Sequence, residues 1–191
     1  MDATPDKPEI VGYTPTMGAD LQWTTDQPMA DLVRYRATSY PQFRHGPTRL
    51  EVGLQDYVAL PSGFNPRTLQ LAADMRRSPE LANARTPQLV EAVMQRLRTG
   101  GYEYTLEPGV YGTHTADEFW FDRKAGFCEH IASSFVLLMR ALDVPARVVT
   151  GYQGGQINTR DGFWTVRQSD AHAWAEAVSY THLTLPTSDL V

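Results

Sequence analysis

The chain carries one cysteine, Cys128, in the run Gly126-Phe127-Cys128-Glu129-His130, and a histidine 44 positions later in Asp170-Ala171-His172-Ala173-Trp174-Ala175-Glu176. The first opens an apolar, helix-like stretch; the second lies on a strand-like one. A thiol at a helix N-terminus that faces an imidazole ionises far more readily than a free thiol, because the N-terminal dipole and the imidazolium both favour the anion. That layout suits a cysteine nucleophile with a remote general base. The Cys128 N–H is one of the unpaired donors at a helix start and could receive the oxyanion of a tetrahedral intermediate, with Gly126 leaving room for close approach. Residue types alone do not decide the matter, since a small buried cysteine and a core histidine would supply the same two residues.

Two kinds of element must hold that pair. Cys128, Ile131, Ala132, Phe135, Leu138, Met139 and Leu142 recur at helical spacing with few polar interruptions, which predicts a central, nearly surrounded helix of about 22 Å. Pro145 follows, then the β-branched strand Ala146-Arg147-Val148-Val149-Thr150-Gly151-Tyr152. Gly154-Gly155 and Asp161-Gly162 bracket a hairpin, Phe163 to Arg167 returns as a strand, and Ala171 to Val178 reads as another.

Upstream, Asn65-Pro66 predicts a helix start with Asn65 as side-chain cap, and Thr86-Pro87 predicts a second helix ending at Gly100-Gly101. Their apolar stripes read as plain core. Tyr102 to Leu106 has strand character, and Ala116 to Arg123 reads as a short helix carrying Phe119, Trp120 and Phe121. Residues 1–20, rich in Pro, Gly, Thr and Asp, read as an extended linker. Residues 21–56 read as a small β-rich segment: Leu32, Val33, Tyr35, Ala37 and Tyr40 suggest one or two half-buried strands cut short by Pro28 and Pro41, and Arg49 to Tyr57 a short helix.

With 42% apolar and 20% charged residues the 191-residue chain has a globular composition. Its net charge of −5, with no basic stripe, argues against nucleic acid or anionic lipid as partner. No apolar run approaches the roughly 20 residues that span a bilayer, and the first residues lack the pattern of a signal peptide. A single cysteine cannot form an internal disulfide, so cysteine usage does not name a compartment.

Taken together, Gly126-Phe127-Cys128-Glu129-His130-Ile131-Ala132, then Leu138-Met139-Arg140-Ala141-Leu142-Asp143-Val144-Pro145, then Asp170-Ala171-His172-Ala173-Trp174-Ala175-Glu176 resemble the bacterial transglutaminase-like domain of the papain-like superfamily, in the periplasmic, membrane-anchored TgpA type. The resemblance is specific over about 118–178 and looser from 57 to 117, where Leu60-Pro61-Ser62-Gly63-Phe64-Asn65-Pro66 also fits. It implies an α+β fold, with a Cys-bearing helix packed on an antiparallel sheet that carries the histidine, over residues 57–178. It implies Cys-His-Asp acyl transfer, with Cys128 as nucleophile and His172 as general base and acid. A glutamine carboxamide or peptide bond would be attacked to give a thioester, then resolved by a lysine amine or by water. The implied partner is a protein or peptide, peptidoglycan-linked peptides included, in the bacterial periplasm, with inner-membrane tethering through anchors outside these residues. No cofactor or metal is implied, and Cys128 and His130 lack further ligands at metal spacing. A papain-like peptidase or cell-wall amidase on the same residues, and a non-catalytic peptide-binding scaffold, are the alternatives.

The family's third member, an Asp that orients the imidazole, normally follows on the next strand. Here Ser179 to Val191 instead resembles a translated sequencing-library adapter, so a non-native tail is expected from 179, and Met1 is expected to be an internal start or a fragment boundary. His182 and Asp189 accordingly carry no functional weight. Asp170, two before His172, is a weak substitute for the missing Asp and reads better as a turn stabiliser. Glu129, His130, Trp174 and Glu176 are read as binding or supporting residues; at i+2 on a helix His130 faces away from Cys128. Trp120 and Trp164 read as core or cleft wall.

Overall fold

The computed structural model describes residues 5–18, 22–40, 52–177 and 184–185. The chain divides into two units, Met1–His45 and Gly46–Val191. In the first, β1 (Glu9–Ile10) pairs antiparallel with β4 (Tyr35–Arg36), and β2 (Pro15–Met17) with β3 (Trp23–Thr25). Two of these strands fall within the stretch read as a linker. Two short strands, β3 and β4, form within the stretch where one or two were expected, but Leu32, Tyr35 and Tyr40 are exposed, so that part is not half-buried. Of the helix expected over 49–57, a 3-10 turn covers Val52–Tyr57, and residues 49–51 lie outside the described residues.

The second unit is α+β. Its helices are α1 (Pro66–Arg77), α2 (Thr86–Thr99), the short α3 (Thr115–Asp117), which runs on as a π-helix over Glu118–Arg123, and α4 (Cys128–Ala141). β5 (Glu103–Tyr104) pairs parallel with β6 (Ala125–Gly126). β7 (Ala146–Tyr152) and β10 (Ala171–Ala177) form an antiparallel pair, with β11 (Thr184–Leu185) on the far side of β10. Between them β8 (Gln156–Ile157) and β9 (Trp164–Thr165) make the predicted hairpin.

The core forms around α4. Ile131, Ala132, Phe135, Leu138 and Met139 of α4 are buried together with Leu89 and Val93 of α2 and the alanines of β10. Trp120, wholly buried in the π-helix, donates its indole N–H to the Ser134 carbonyl at 3.2 Å. The π-helix thereby holds the residues just before the cysteine against the middle of α4.

The helix starts depart from the sequence expectation. Asn65 occupies the cap position of α1 but is left-handed (φ 51°) and makes no side-chain bond to its own helix. Its Oδ1 instead accepts from the N–H groups of Ala116 and Asp117, capping α3. Asp117 returns the favour across the interface: its carboxylate accepts from Arg67 N at 3.0 Å, Thr68 N at 2.7 Å and Thr68 Oγ1 at 2.6 Å, capping α1. Each helix is thus capped by the other, about 50 residues away in sequence. Asp117 is almost fully buried, so Asp117→Ala would strand three donors. We expect a loss of about 2–4 kcal/mol in chemical denaturation, larger than an ordinary exposed cap of ~1 kcal/mol.

The far end of α4 sets the direction of the sheet. Val144 N bonds Met139 O and Asp143 N bonds Arg140 O, both at 3.0 Å, with Asp143 left-handed at φ 59°. This is a Schellman ending, and the buried Met139 and Val144 make its apolar contact. After so short a connection β7 turns back along α4, against which it packs.

Candidate active site

Cys128 is the first residue of α4, half-buried and free. Phe127 before it is extended, and its carbonyl accepts the Ile131 N–H at 3.1 Å, so the helix begins cleanly at the cysteine. Glu129, exposed in the first turn, lies where a negative charge is favoured by the helix dipole.

His172 reaches this end of the helix through strand register. Fourteen residues make α4 about 21 Å long. Running back from the other end, the five steps of β7 from Ala146 to Gly151 cover about 17 Å. His172 lies directly opposite Gly151. By these lengths the second residue of β10 falls toward the end of α4 that Cys128 opens. Along β10, Ala173, Ala175 and Ala177 join the core, while His172, Trp174 and Glu176 alternate onto the other face. The imidazole is thus on the face of β10 opposite the alanines that join the core.

Its Nε2 is buried and has no hydrogen-bond partner; among the described residues only Arg96 Nε and His130 Nδ1 share that condition. A buried polar atom without a partner costs free energy unless water or a ligand meets it. The imidazole packs edge-on to Trp174, with ring centroids 5.2 Å apart. The indole in turn lies over Gly151, where an added Cβ would come within 3.1 Å of it. Gly151→Ala would push the indole, and with it the imidazole, by a few tenths of an ångström. Because a small misplacement of reacting groups is costly, a roughly five- to tenfold slower alkylation of Cys128 at about pH 6 is expected, with thermal stability little changed.

The other predicted residues take separate places. Glu176 forms an ion pair with Arg147, directly opposite it on β7, at 2.8 Å, and Arg147 lies over the Tyr57 ring. Asp170 closes a 3-10 turn just before β10: its carboxylate accepts the Arg167 N–H at 2.7 Å, and its carbonyl the Gln153 N–H at 2.8 Å. It is engaged in that turn and not on the strand. Trp120 is core, and Trp164 is exposed on the hairpin. His182 and Asp189 lie outside the described residues.

His130 is held between Tyr111 and Phe127, with ring centroids 4.6 and 4.5 Å away. Burial pushes its pKa below the ordinary histidine value, opposed by the neighbouring Glu129 carboxylate. A depressed folded-state value means that the neutral ring contributes its full stability above the unfolded-state value of 6.5, and loses it as pH falls through the folded-state value. In melts at decreasing pH, His130→Phe is therefore expected to lose less stability below about pH 6.5 than the parent chain.

Arg147, Gly151 and Tyr111 had drawn no attention in the sequence. The partner of Glu176 could be read by counting both strands back from one turn, but Tyr111 sits in an irregular loop and gave no signal. Among the described residues no group of three or more His, Cys, Asp or Glu is placed to hold a metal ion, and no helix is long and apolar enough to cross a membrane.

The family model described as the transglutaminase-like superfamily matches residues 70–183, which include both Cys128 and His172. The chain belongs to that superfamily. It is 37% identical over 158 residues to a protein-glutamine gamma-glutamyltransferase of Pseudomonas aeruginosa, covering 83% of this chain and 23% of that protein. It is 28% identical over 127 residues to the uncharacterized protein YebA of Bacillus subtilis, covering 63% of this chain and 17% of that protein. The chain thus spans a quarter or less of these relatives. The crystal structure of the periplasmic domain of TgpA from Pseudomonas aeruginosa bound to ethylmercury superposes with a TM-score of 0.83 at 32% identity, over 96% of this chain and 66% of that one. The expected α+β transglutaminase-like core, with the cysteine heading a helix packed on the sheet, is the fold observed.

Proposed function

We propose that this chain carries the active site of a cysteine-dependent acyltransferase of transglutaminase type. The Cys128 thiolate attacks a glutamine carboxamide or peptide carbonyl, and the oxyanion that forms is met by the Cys128 N–H at the head of α4. His172 takes the thiol proton and passes it to the leaving ammonia or amine, leaving a thioester on Sγ. A lysine amine or water then attacks the thioester, the imidazole accepting its proton, and the thiol is restored. No hydrogen bond joins His172 Nε2 to any group, and such contacts commonly tighten only when substrate is bound.

What supports this reading is a cysteine that opens a helix and a histidine on the strand packed against that helix, both inside the residues 70–183 that match the superfamily. The 37% identical relative is named as a protein-glutamine gamma-glutamyltransferase, which favours glutamine as donor and a protein or peptide, peptidoglycan-linked peptides included, as substrate. The TgpA domain that the fold matches is periplasmic, and we assign the same compartment, with tethering to the inner membrane, to the protein that contains these residues. Trp174 supports the imidazole, Glu176 fixes the strand pair, and Glu129 stands on the substrate side of the helix head.

Ammonia release from a glutamine peptide, measured with and without an added primary amine, tests the assignment. Incorporation of the amine supports acyl transfer; ammonia release indifferent to amine means that water is the acceptor. Cleavage of the peptide backbone in place of either would make the chain a peptidase. No release of any kind, with Cys128 unreactive, would leave only a binding scaffold.

A further inference from the structure

We infer that His130 is a positioning residue: its ring, clamped between Tyr111 and Phe127 and seated against Gly126, fixes the turn into α4 and so aims the Cys128 N–H at the oxyanion. The inference rests on the acyl-transfer reading above, in which His130 takes no step. Five contacts bear on it. A Cβ added at Gly126 would come within 2.6 Å of His130 Cβ and 3.0 Å of its Cγ, so the His130 side chain, from its Cβ outward, fills the space that glycine leaves at this point of the turn. Phe127 closes the ring edge-on at an interplanar angle of 82°. Tyr111 covers it from the loop, and the Tyr111 hydroxyl donates to the Ala125 carbonyl at 2.6 Å, tying that loop to the strand just before the cysteine. Gly126 is itself pinned, its carbonyl accepting the Thr105 N–H at 2.9 Å.

The loop that presents Tyr111 is fastened separately. Arg123 donates to the carbonyls of Pro108 and Val110, pairs with Glu118 at 3.0 Å and stacks on the Tyr111 ring at 5.0 Å. A chain of contacts therefore runs from the π-helix through Tyr111 and His130 to the residues on either side of the nucleophile. The Nδ1 of His130 is buried and bonds nothing, so the ring holds the turn by packing rather than by hydrogen bonding. A phenyl ring should then serve, and a flexible side chain should not.

Two reactions of the same sulfur separate this role from a general structural one. Alkylation by iodoacetamide forms the S–C bond with loss of iodide and needs no oxyanion donor. A peptide aldehyde with a glutamine-like side chain adds to Sγ to give a hemithioacetal, the thiol proton passing to the former carbonyl oxygen, and this adduct is held by the N–H at the helix head. In His130→Ala we expect aldehyde affinity to fall about tenfold while alkylation stays within about twofold; loss of a whole oxyanion donor costs about 10²–10³ in rate, and here the donor is only misaimed. His130→Phe should keep parental affinity. If His130→Ala does not fold, His130→Gln against His130→Phe makes the same comparison. Parental affinity in the variants without the ring would overturn the inference, as would equal loss of alkylation and capture, or failure of Phe to substitute. A parent chain that neither captures aldehyde nor is alkylated would sink the acyl-transfer reading itself.

Discussion

A p-nitrophenyl ester of a blocked glutamate side chain should release close to one equivalent of p-nitrophenol per chain in a rapid first phase, and Cys128→Ala should abolish that phase. The thiolate attacks the ester carbonyl, the phenolate leaves, and the acyl group stays on Sγ. Since this phase counts acylated cysteines, it is independent of how fast the thioester is later resolved. Removal of the nucleophile from a catalytic unit costs about 10⁶ in rate in a well-studied protease, so a drop of at least about 10⁴ is expected here. Cys128 is half-buried at a helix end, not in the packed middle of α4. The alanine variant should therefore keep the parental melting temperature to within a few degrees. Retention of the first phase in Cys128→Ala would remove the cysteine from the chemistry.

The steady state that follows should be slow. The two carboxylates nearest to His172 in the sequence are both committed elsewhere, Asp170 to the Arg167 N–H and Glu176 to Arg147. In a Ser-His-Asp site, loss of the group that orients the imidazole costs about 10⁴ in turnover while leaving the geometry intact. A site whose His172 is oriented by no carboxylate is expected to resolve its acyl-enzyme up to about 10⁴ more slowly than one with an oriented imidazole. Asp170→Asn should change that rate by less than about twofold, because the side chain closes a turn instead of holding the ring. A tenfold or larger loss in Asp170→Asn would show that this carboxylate does orient His172.

The parts of the site that could be read from the sequence are those set by local pattern. The period of apolar residues from Cys128 onward, stopped by Asp143-Val144-Pro145, gives α4 within one residue of its observed end; a β-branched run gives β7, and the stretch from Ala171 also reads as a strand. The position of His172 along the sheet needs the β7–β10 register, which puts it opposite Gly151. What escaped notice depends on pairs distant in sequence. Asn65 looked like the cap of its own helix because Asn-Pro has that local signature. The true exchange with Asp117 requires two helix starts to meet, and no window of sequence contains both. The π-helix over Glu118–Arg123 read as an ordinary short helix, since six residues cannot distinguish a wider turn by periodicity. Tyr111 lay in a loop of Gly and Pro, and only packing shows that its ring meets His130.

The paired action of Cys128 and His172 is tested most directly by the rate at which iodoacetamide labels residue 128 at about pH 6, followed by mass spectrometry in the parent chain and in His172→Ala. A free thiol is scarcely ionised at that pH, so rapid labelling requires a thiolate made by its surroundings. The account predicts labelling at Cys128 that slows at least about tenfold when the imidazole is removed. Equal rates in the two chains would contradict it.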